Sequence, residues 1–237
     1  VSLRGDVGFV GSVDAVCMQY SAVGISLHAG FGVMAGSCYS ASCHVIPRFC
    51  GSNHVRALMD PRWTYAVLPG LPAEGPPSEQ FSATGLGMHR EGYVVEFSGS
   101  EGSGWVGNFQ PGLASLFAVV AHPNGKHIVV VAGGQAYVVE PNSKQLVGQF
   151  GAAIQHLIEL PQRQGLLVSN GLWFELHGAQ GLTWRSKRVS WDGVRNIQVQ
   201  GGVVGGEGWC FDESWHAFSI QMESGCASGG GYHGTEP

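Results

Sequence analysis

From about Ala83 to Gly231, short apolar runs alternate with turns that are rich in Gly, Asn and Ser. Runs of this length between such turns are typical of antiparallel strands. The clearest example is Val119–Gly148, in which Pro123-Asn-Gly125, Gly133-Gly134 and Pro141-Asn-Ser143 separate the apolar runs. Each turn contains a residue suited to a positive or a preset φ. The pattern therefore predicts an all-β fold.

An internal repeat organises the same part of the chain. Four stretches begin with an aromatic residue, continue as a short apolar strand and end in a polar turn. They start at Tyr93, Tyr137, Trp173 and Phe218, which are 44, 36 and 45 residues apart. The first two align most closely, since Val106-Gly107 and Phe109 correspond to Val147-Gly148 and Phe150. A period near 40 built from short strands predicts four-stranded propeller blades.

The stretch Val119–Gly148 also resembles the blades of bacterial surface-layer and quinoprotein-like β-propellers. In those blades a Pro-Asn-Gly-Lys type of turn precedes an apolar strand, and a second strand ends in a Pro-x-Ser-x turn, as at Pro123–Lys126 and Pro141–Lys144. WD40-like blades have a related pattern, but their Trp-Asp pair is missing here, because Trp191-Asp192 falls in a predicted turn. The resemblance implies β-propeller-like antiparallel blades, as a partial or small propeller, and assigns no catalytic residue.

The chain divides into three regions by composition. Residues 1–59 contain four of the six cysteines and no Lys, and their apolar residues follow neither a helical nor a strand period. We interpret them as an irregular segment, with a poorly packed or out-of-frame extension as the alternative. Residues 60–82 contain five prolines and are predicted to be an extended linker. Residues 83–237 form the predicted repeat domain.

Composition and charge narrow the function classes. Only 12% of the residues are charged, there are 38 Gly, and Lys occurs only at positions 126, 144 and 187, so exposed helices are not expected. The net charge of -5 provides no basic surface for nucleic acid. The cysteines lack the spacing of a secreted scaffold and no signal peptide precedes them, which favours free thiols in the cytoplasm.

Residues 15–47 contain no Asp, Glu, Lys or Arg, a pattern that is compatible with a membrane span. Several serines and glycines interrupt the run, whereas a span needs about 20 predominantly apolar residues. We therefore interpret the protein as soluble, with a membrane-tethered propeller anchored by residues 15–47 as one alternative.

The sequence carries no motif for a cofactor, and none is predicted. Cys38, Cys43, His44, Cys50 and His54 are its densest group of soft ligands, but their spacing does not form the paired knuckles of a zinc site, so no metal is predicted. A Gly-x-Ser-x-Gly elbow and a Walker loop are absent from the sequence. Gly-x-Gly sequences such as Gly85-Leu-Gly87 do not open a helix after a strand, so no dinucleotide loop is predicted. No catalytic residue is predicted.

One acidic pair suggests a possible glycan site. Asp212 and Glu213 lie beside Trp209, Trp215 and His216. Carboxylates can transfer protons to a glycosidic bond and aromatic rings can stack on a sugar. This predicts a glycan-binding or glycan-cleaving protein as an alternative. The simpler interpretation is packing by the two tryptophans and a solvated turn.

The leading hypothesis is a non-enzymatic binding or scaffold module that presents its propeller turns to a protein partner. Trp and Arg are the residue types that most often anchor protein interfaces. The predicted surface contains Trp184, Arg185, Arg188, Trp191 and Arg195. The same residues are compatible with packing on strand faces, and the sequence predicts no oligomeric state.

Overall fold

The fold was obtained as a computed structural model, which describes residues 56–57, 63–85, 90–100, 102 and 104–235. The irregular segment 1–59 lies almost entirely outside these residues. The same holds for the apolar run 15–47 and for the five soft ligands between Cys38 and His54. Within the described part of the chain, no helix is long and apolar enough to cross a membrane.

Four sheets account for the strands. Sheet A contains β1 (Arg56–Ala57), β2 (Trp63–Val67), β3 (Glu79–Phe81), β4 (Tyr93–Gly99) and β5 (Gly104–Phe109). Sheet B contains β6 (Ala118–Ala121), β7 (Ile128–Ala132), β8 (Gln135–Glu140) and β9 (Gln145–Phe150). Sheet C contains β10 (His156–Leu160), β11 (Gly165–Ser169), β12 (Phe174–Gly178) and β13 (Gly181–Arg185). Sheet D contains β14 (Val194–Gln200), β15 (Val203–Trp209), β16 (Trp215–Gln221) and β17 (Ala227–Gly229).

Sheets B, C and D are antiparallel meanders in which every strand pairs with the next one along the chain. Sheet A has the order β1-β2-β4-β5-β3, and its edge strand β3 runs parallel to β5. A 3-10 turn at Pro161–Arg163 joins β10 to β11. The predicted all-β fold of propeller-like antiparallel blades is confirmed.

The turn between β7 and β8 shows how local sequence sets the meander. Gly133 and Gly134 have φ values of 54° and 81°, as expected for the predicted two-residue hairpin turn. A Cβ atom on Gly134 would lie 2.7 Å from the Cβ of Ala114 and from the backbone nitrogen of Ile154. Glycine is therefore required there both by the backbone conformation and by the close packing.

Sheets B and C are covered on both faces. On β7, Ile128 and Val130 belong to a core cluster shared with sheet A, whereas Val129 and Val131 belong to a cluster shared with sheet C. Side chains alternate between the two faces of a strand, so every residue of β7 is buried. This explains why the strand reads as a continuous apolar run rather than as an alternating pattern.

Sheet D packs one face against sheet C and presents a polar opposite face. Phe218 and Ile220 join Leu167 and Phe174 in the core between the two sheets. Successive side chains of a strand point to opposite faces, so Ser219, which lies between Phe218 and Ile220 in β16, is on the face away from this core. Its hydroxyl is 2.8 Å from the hydroxyl of Ser228.

The four predicted repeats correspond to equivalent strands. Tyr93 begins β4, Tyr137 and Phe218 lie within β8 and β16, and Trp173 directly precedes β12. In each sheet this is the third antiparallel strand. The aromatic residue thus marks the same strand in each of the four sheets, at different positions along it.

The predicted linker 60–82 contributes two strands to sheet A. β2 pairs with β1 and β4, and β3 pairs with β5. The prolines do not interrupt these strands because all five lie outside β2 and β3. A proline-rich segment can therefore still supply short strands between its prolines.

Candidate binding site at the turns of sheet D

The turn between β15 and β16, together with the strand ends beside it, carries five of the ten predicted site residues. The Cys210 backbone N–H donates to the Ser214 carbonyl at 3.0 Å, and the Glu213 N–H donates to the Cys210 carbonyl at 3.1 Å. Glu213 has a φ of 61°, which reverses the chain. An Asp212 carboxylate oxygen accepts from both the backbone N–H and the hydroxyl of Ser214. The turn is thus held by its own hydrogen bonds.

Four aromatic rings meet beside this turn, and we call them the aromatic turn cluster: Trp191, Trp209, Phe211 and Tyr232. The ring centroid of Trp191 lies 4.6 Å from that of Phe211 and 4.5 Å from that of Tyr232. Trp209 meets Phe211 edge to face at 5.3 Å. Phe211 is 66% exposed, so it forms the solvent-facing tip of the cluster.

Arg188 is fixed against the cluster. Its guanidinium carbon lies 5.1 Å from the ring centroid of Trp191 and 4.7 Å from that of Tyr232. The guanidinium also donates to the carbonyl oxygens of Ser190 and Trp191, both at 2.8 Å. The side chain therefore holds the connection before β14 and the chain after β17 against each other.

Arg195 and Trp215 form a neighbouring contact on the polar face of sheet D. The Arg195 guanidinium carbon lies 4.2 Å from the ring centroid of Trp215. The same guanidinium donates to a carboxylate oxygen of Glu207 at 2.9 Å. Five of the ten predicted residues thus lie in or against the aromatic turn cluster and its turn, namely Arg188, Trp191, Trp209, Asp212 and Glu213. Three others, Arg195, Trp215 and His216, lie on the adjoining strands.

Trp184 and Arg185 lie elsewhere. Trp184 is buried in the core between sheets C and D, and its indole N–H donates to the Met222 carbonyl at 2.8 Å. Arg185 lies over the ring of Trp173 and pairs with Glu175 at 2.8 Å. Trp184 is therefore a packing residue rather than a surface anchor.

Asp212, Ser214 and His216 approach one another but do not form a hydrolytic triad. The Nε2 atom of His216 lies 2.7 Å from the Ser214 hydroxyl and 3.0 Å from the Asp212 carboxylate. In a serine hydrolase the acid and the nucleophile occupy opposite ring nitrogens, so that the imidazole relays a proton between them. Here both groups compete for the same nitrogen, and no relay is formed.

The electrostatics of Asp212 do not suit the general-acid role in glycoside cleavage. Hydrogen bonds from Ser214 and His216 hold the pKa of its carboxyl below the usual range. A glycosidase acid needs a raised pKa so that it stays protonated and can donate to the leaving oxygen. The turn can therefore bind through its rings, but Asp212 does not have the properties of a general acid.

A second concave feature, which sequence reasoning missed, lies between sheets B and C. It is a groove of about 980 Å³ lined by the turns from β6 to β7 and from β12 to β13. His122, His127 and His177 line it, and the ring of His177 stacks on Phe150 with centroids 3.9 Å apart. Burial lowers the pKa of His122, and the nearby His127 and His177 lower it further. His177 lies 50 residues after His127 along the chain, so no local motif joins it to the other two histidines.

Comparison with solved structures finds similar proteins, among them two with TM-scores below 0.5. Dihydro-heme d1 dehydrogenase NirN, solved in complex with DHE, is similar with a TM-score of 0.46 and 13% identity over 74% of this chain. Hsv2 of Kluyveromyces lactis is similar with a TM-score of 0.32 and 9% identity over 73% of this chain. Both are β-propeller proteins.

The chain covers 35% of the length of NirN and 61% of that of Hsv2. No protein-family model and no curated protein matches the sequence. At these identities and TM-scores the likeness assigns no function to this chain.

Proposed function

We propose that this chain is a non-enzymatic binding module that contacts a protein partner through the aromatic turn cluster. The observation that carries the proposal is the exposed ring of Phe211 on a fixed base of Trp191, Trp209 and Tyr232. Large aromatic residues and Arg are enriched where protein interfaces bury most of their energy.

The rigidity of the base supports this function. Arg188 lies against Trp191 and Tyr232, and its hydrogen bonds to two backbone carbonyls restrict its rotamers. Association costs about 0.5–1.5 kcal/mol for each rotamer-rich side chain that must be ordered. Side chains that are already ordered in the free protein avoid much of this cost, which favours their use as anchors.

The polar side chains of the turn also agree with a binding function that involves no catalysis. Ser214 and Asp212 share one nitrogen of His216, and the pKa of Asp212 is lowered. A glycan remains the alternative ligand, because Phe211 and Trp215 are rings on which a sugar face could stack. Phe211→Ala is expected to weaken binding of either ligand class, so capture of a protein and binding to a glycan array distinguish the two.

Phe211→Ala is expected to weaken capture of the partner by at least about tenfold, since a central anchor contributes about 2 kcal/mol or more. A photo-crosslinking residue at position 211 of the full chain should attach to one protein from cell extract, and mass spectrometry should identify the junction. The purified partner then allows the affinities of the wild type and of Phe211→Ala to be measured by titration.

Leu113 provides a matched control because it is 86% exposed and precedes sheet B. A crosslinker at position 113 should not capture the same protein, and Leu113→Ala should bind it with wild-type affinity. Equal capture from both positions would contradict the proposed surface. Binding to a glycan array that is lost in Phe211→Ala would replace the protein partner by a glycan.

A further inference from the structure

Three different metal-binding side chains converge at the turn between β15 and β16. The Sγ atom of Cys210, a carboxylate oxygen of Asp212 and a ring nitrogen of His216 all lie within 4.8 Å of one another. Cys210 is buried, whereas Asp212 is exposed and His216 partly exposed. The group therefore has a buried floor and an opening to solvent.

We propose that Cys210, Asp212 and His216 bind a Zn²⁺ ion, with His233 as the fourth ligand. Zn²⁺ prefers four N, S or O donors in a tetrahedron, with bonds of about 2.0–2.3 Å. Such bonds place neighbouring donors about 3.3–3.8 Å apart. The three donor atoms need to move only by about 1 Å to reach this spacing.

The charges of these side chains suit a divalent ion. A cysteine binds zinc as the thiolate, an aspartate as the carboxylate and a histidine as the neutral imidazole. The two negative charges then balance the ion. Binding would release the thiol proton and replace the hydrogen bond between Asp212 and His216, whose acceptor oxygen and ring nitrogen are 3.0 Å apart.

The backbone holds the ligands before any ion binds. Cys210 directly follows β15, the first strand of the hairpin, and its N–H and carbonyl bond across the turn to Ser214 and Glu213. His216 is the second residue of β16 and is paired in register with Gly208. The spacing Cys-x-Asp-x-x-x-His thus becomes a small concave group only because the hairpin reverses the chain.

His233, in the chain after β17, lies beside His216. Its ring centroid lies 5.9 Å from that of His216, with the rings nearly perpendicular. The Gly230 N–H donates to the Ala217 carbonyl at 2.9 Å and the Gly231 N–H to the Val189 carbonyl at 2.8 Å. These bonds fix the course of the chain two residues before His233.

The proposal can be tested on the full chain with Zn²⁺ and with Co²⁺ as a spectroscopic probe. Cys210→Ser and His216→Ala should each bind about one equivalent less Zn²⁺ than the wild type. Both should also lose a thiolate-to-cobalt charge-transfer band. Cys226→Ser is the matched control, because Cys226 is an exposed free cysteine of the same sheet, and it should retain both signals.

Four further cysteines lie in residues 1–55. The test therefore uses the difference in zinc binding between each variant and the wild type. X-ray absorption spectra of the zinc-loaded wild type and Cys210→Ser should differ by one zinc site. In the wild type, that site should show a single sulfur ligand at about 2.3 Å. His233→Ala should weaken zinc binding by about tenfold or more, as expected when a protein ligand is replaced by water.

Zinc binding and cobalt spectra that are the same in Cys210→Ser and the wild type would overturn the proposed site. An unchanged affinity in His233→Ala would overturn the assignment of the fourth ligand. The inference does not depend on the proposed protein partner, because every readout concerns the metal itself. Circular dichroism of each variant separates loss of zinc from loss of the fold.

Discussion

Replacing Trp184 by alanine is expected to lower the free energy of unfolding by about 3–5 kcal/mol, the usual range for a buried Trp. The indole lies in the core between sheets C and D and is only 8% exposed. Its N–H donates to the Met222 carbonyl. The backbone of Gly225 packs closely on the ring, since a Cβ there would lie 2.8 Å from it. Urea denaturation followed by circular dichroism measures the loss.

Two further variants serve as comparisons for Trp184→Ala. Trp184→Phe keeps part of the ring but leaves the Met222 carbonyl without its donor, so a loss of about 1–3 kcal/mol is expected. Phe211→Ala, at a 66% exposed ring, should change stability by less than about 1 kcal/mol. A Trp184→Ala protein as stable as the wild type would mean that Trp184 is a surface residue, as the sequence hypothesis had it.

Acid is expected to remove a contribution of about 2–3 kcal/mol that Glu175 makes to stability. Hydrogen bonds from His177 and Trp173, together with the charge of Arg185, lower the pKa of Glu175 to about 2 in the folded protein. Its side chain is only 13% exposed, so solvent screens these contacts weakly. The acceptor distances are 3.1 Å from His177 and 2.8 Å from Arg185.

The direction of this pH dependence follows from the coupling between proton binding and folding. The pKa of Glu175 is lower in the folded than in the unfolded state, so the contribution is fully present above the usual value of 4.5. It is lost as the pH falls from there through about 2. Glu175→Gln should therefore be less stable than the wild type at neutral pH, and the difference should close over this window.

Chemical denaturation of both proteins across the acid range measures that difference. Glu96→Gln, at an exposed position of sheet A, is the matched control and should keep the pH dependence of the wild type. A difference between Glu175→Gln and the wild type that stays constant with pH would show that the carboxylate is not stabilised by its charge.

Local pattern was sufficient for the strand content and for several turns. Apolar runs of four to six residues between Gly-rich and Asn-rich turns predicted β7 and β8, and Gly133-Gly134 adopts the positive φ values that the turn needs. These features depend on neighbours in sequence, since a hairpin brings together residues a few positions apart. The aromatic repeat likewise marked the third strand of each blade.

Short strands inside the proline-rich segment were beyond such reasoning. β3 has three residues, too few for a period to be visible, and its partner β5 lies more than 20 residues further along the chain. Parallel pairing at a sheet edge has no local turn signal. The segment 60–82 therefore looked like a linker although β2 and β3 belong to sheet A.

The sequence by itself determined that this chain forms blades, because strand period and turn chemistry are local properties. Only the tertiary structure decided which Trp is a core residue and which faces solvent. Trp184 meets the Met222 carbonyl 38 positions away, whereas Trp191 stacks on Phe211 and Tyr232. Such contacts depend on how one sheet packs on the next. The contact between the rings of His233 and His216 depends on the course of the chain after β17, since no sequence spacing encodes it.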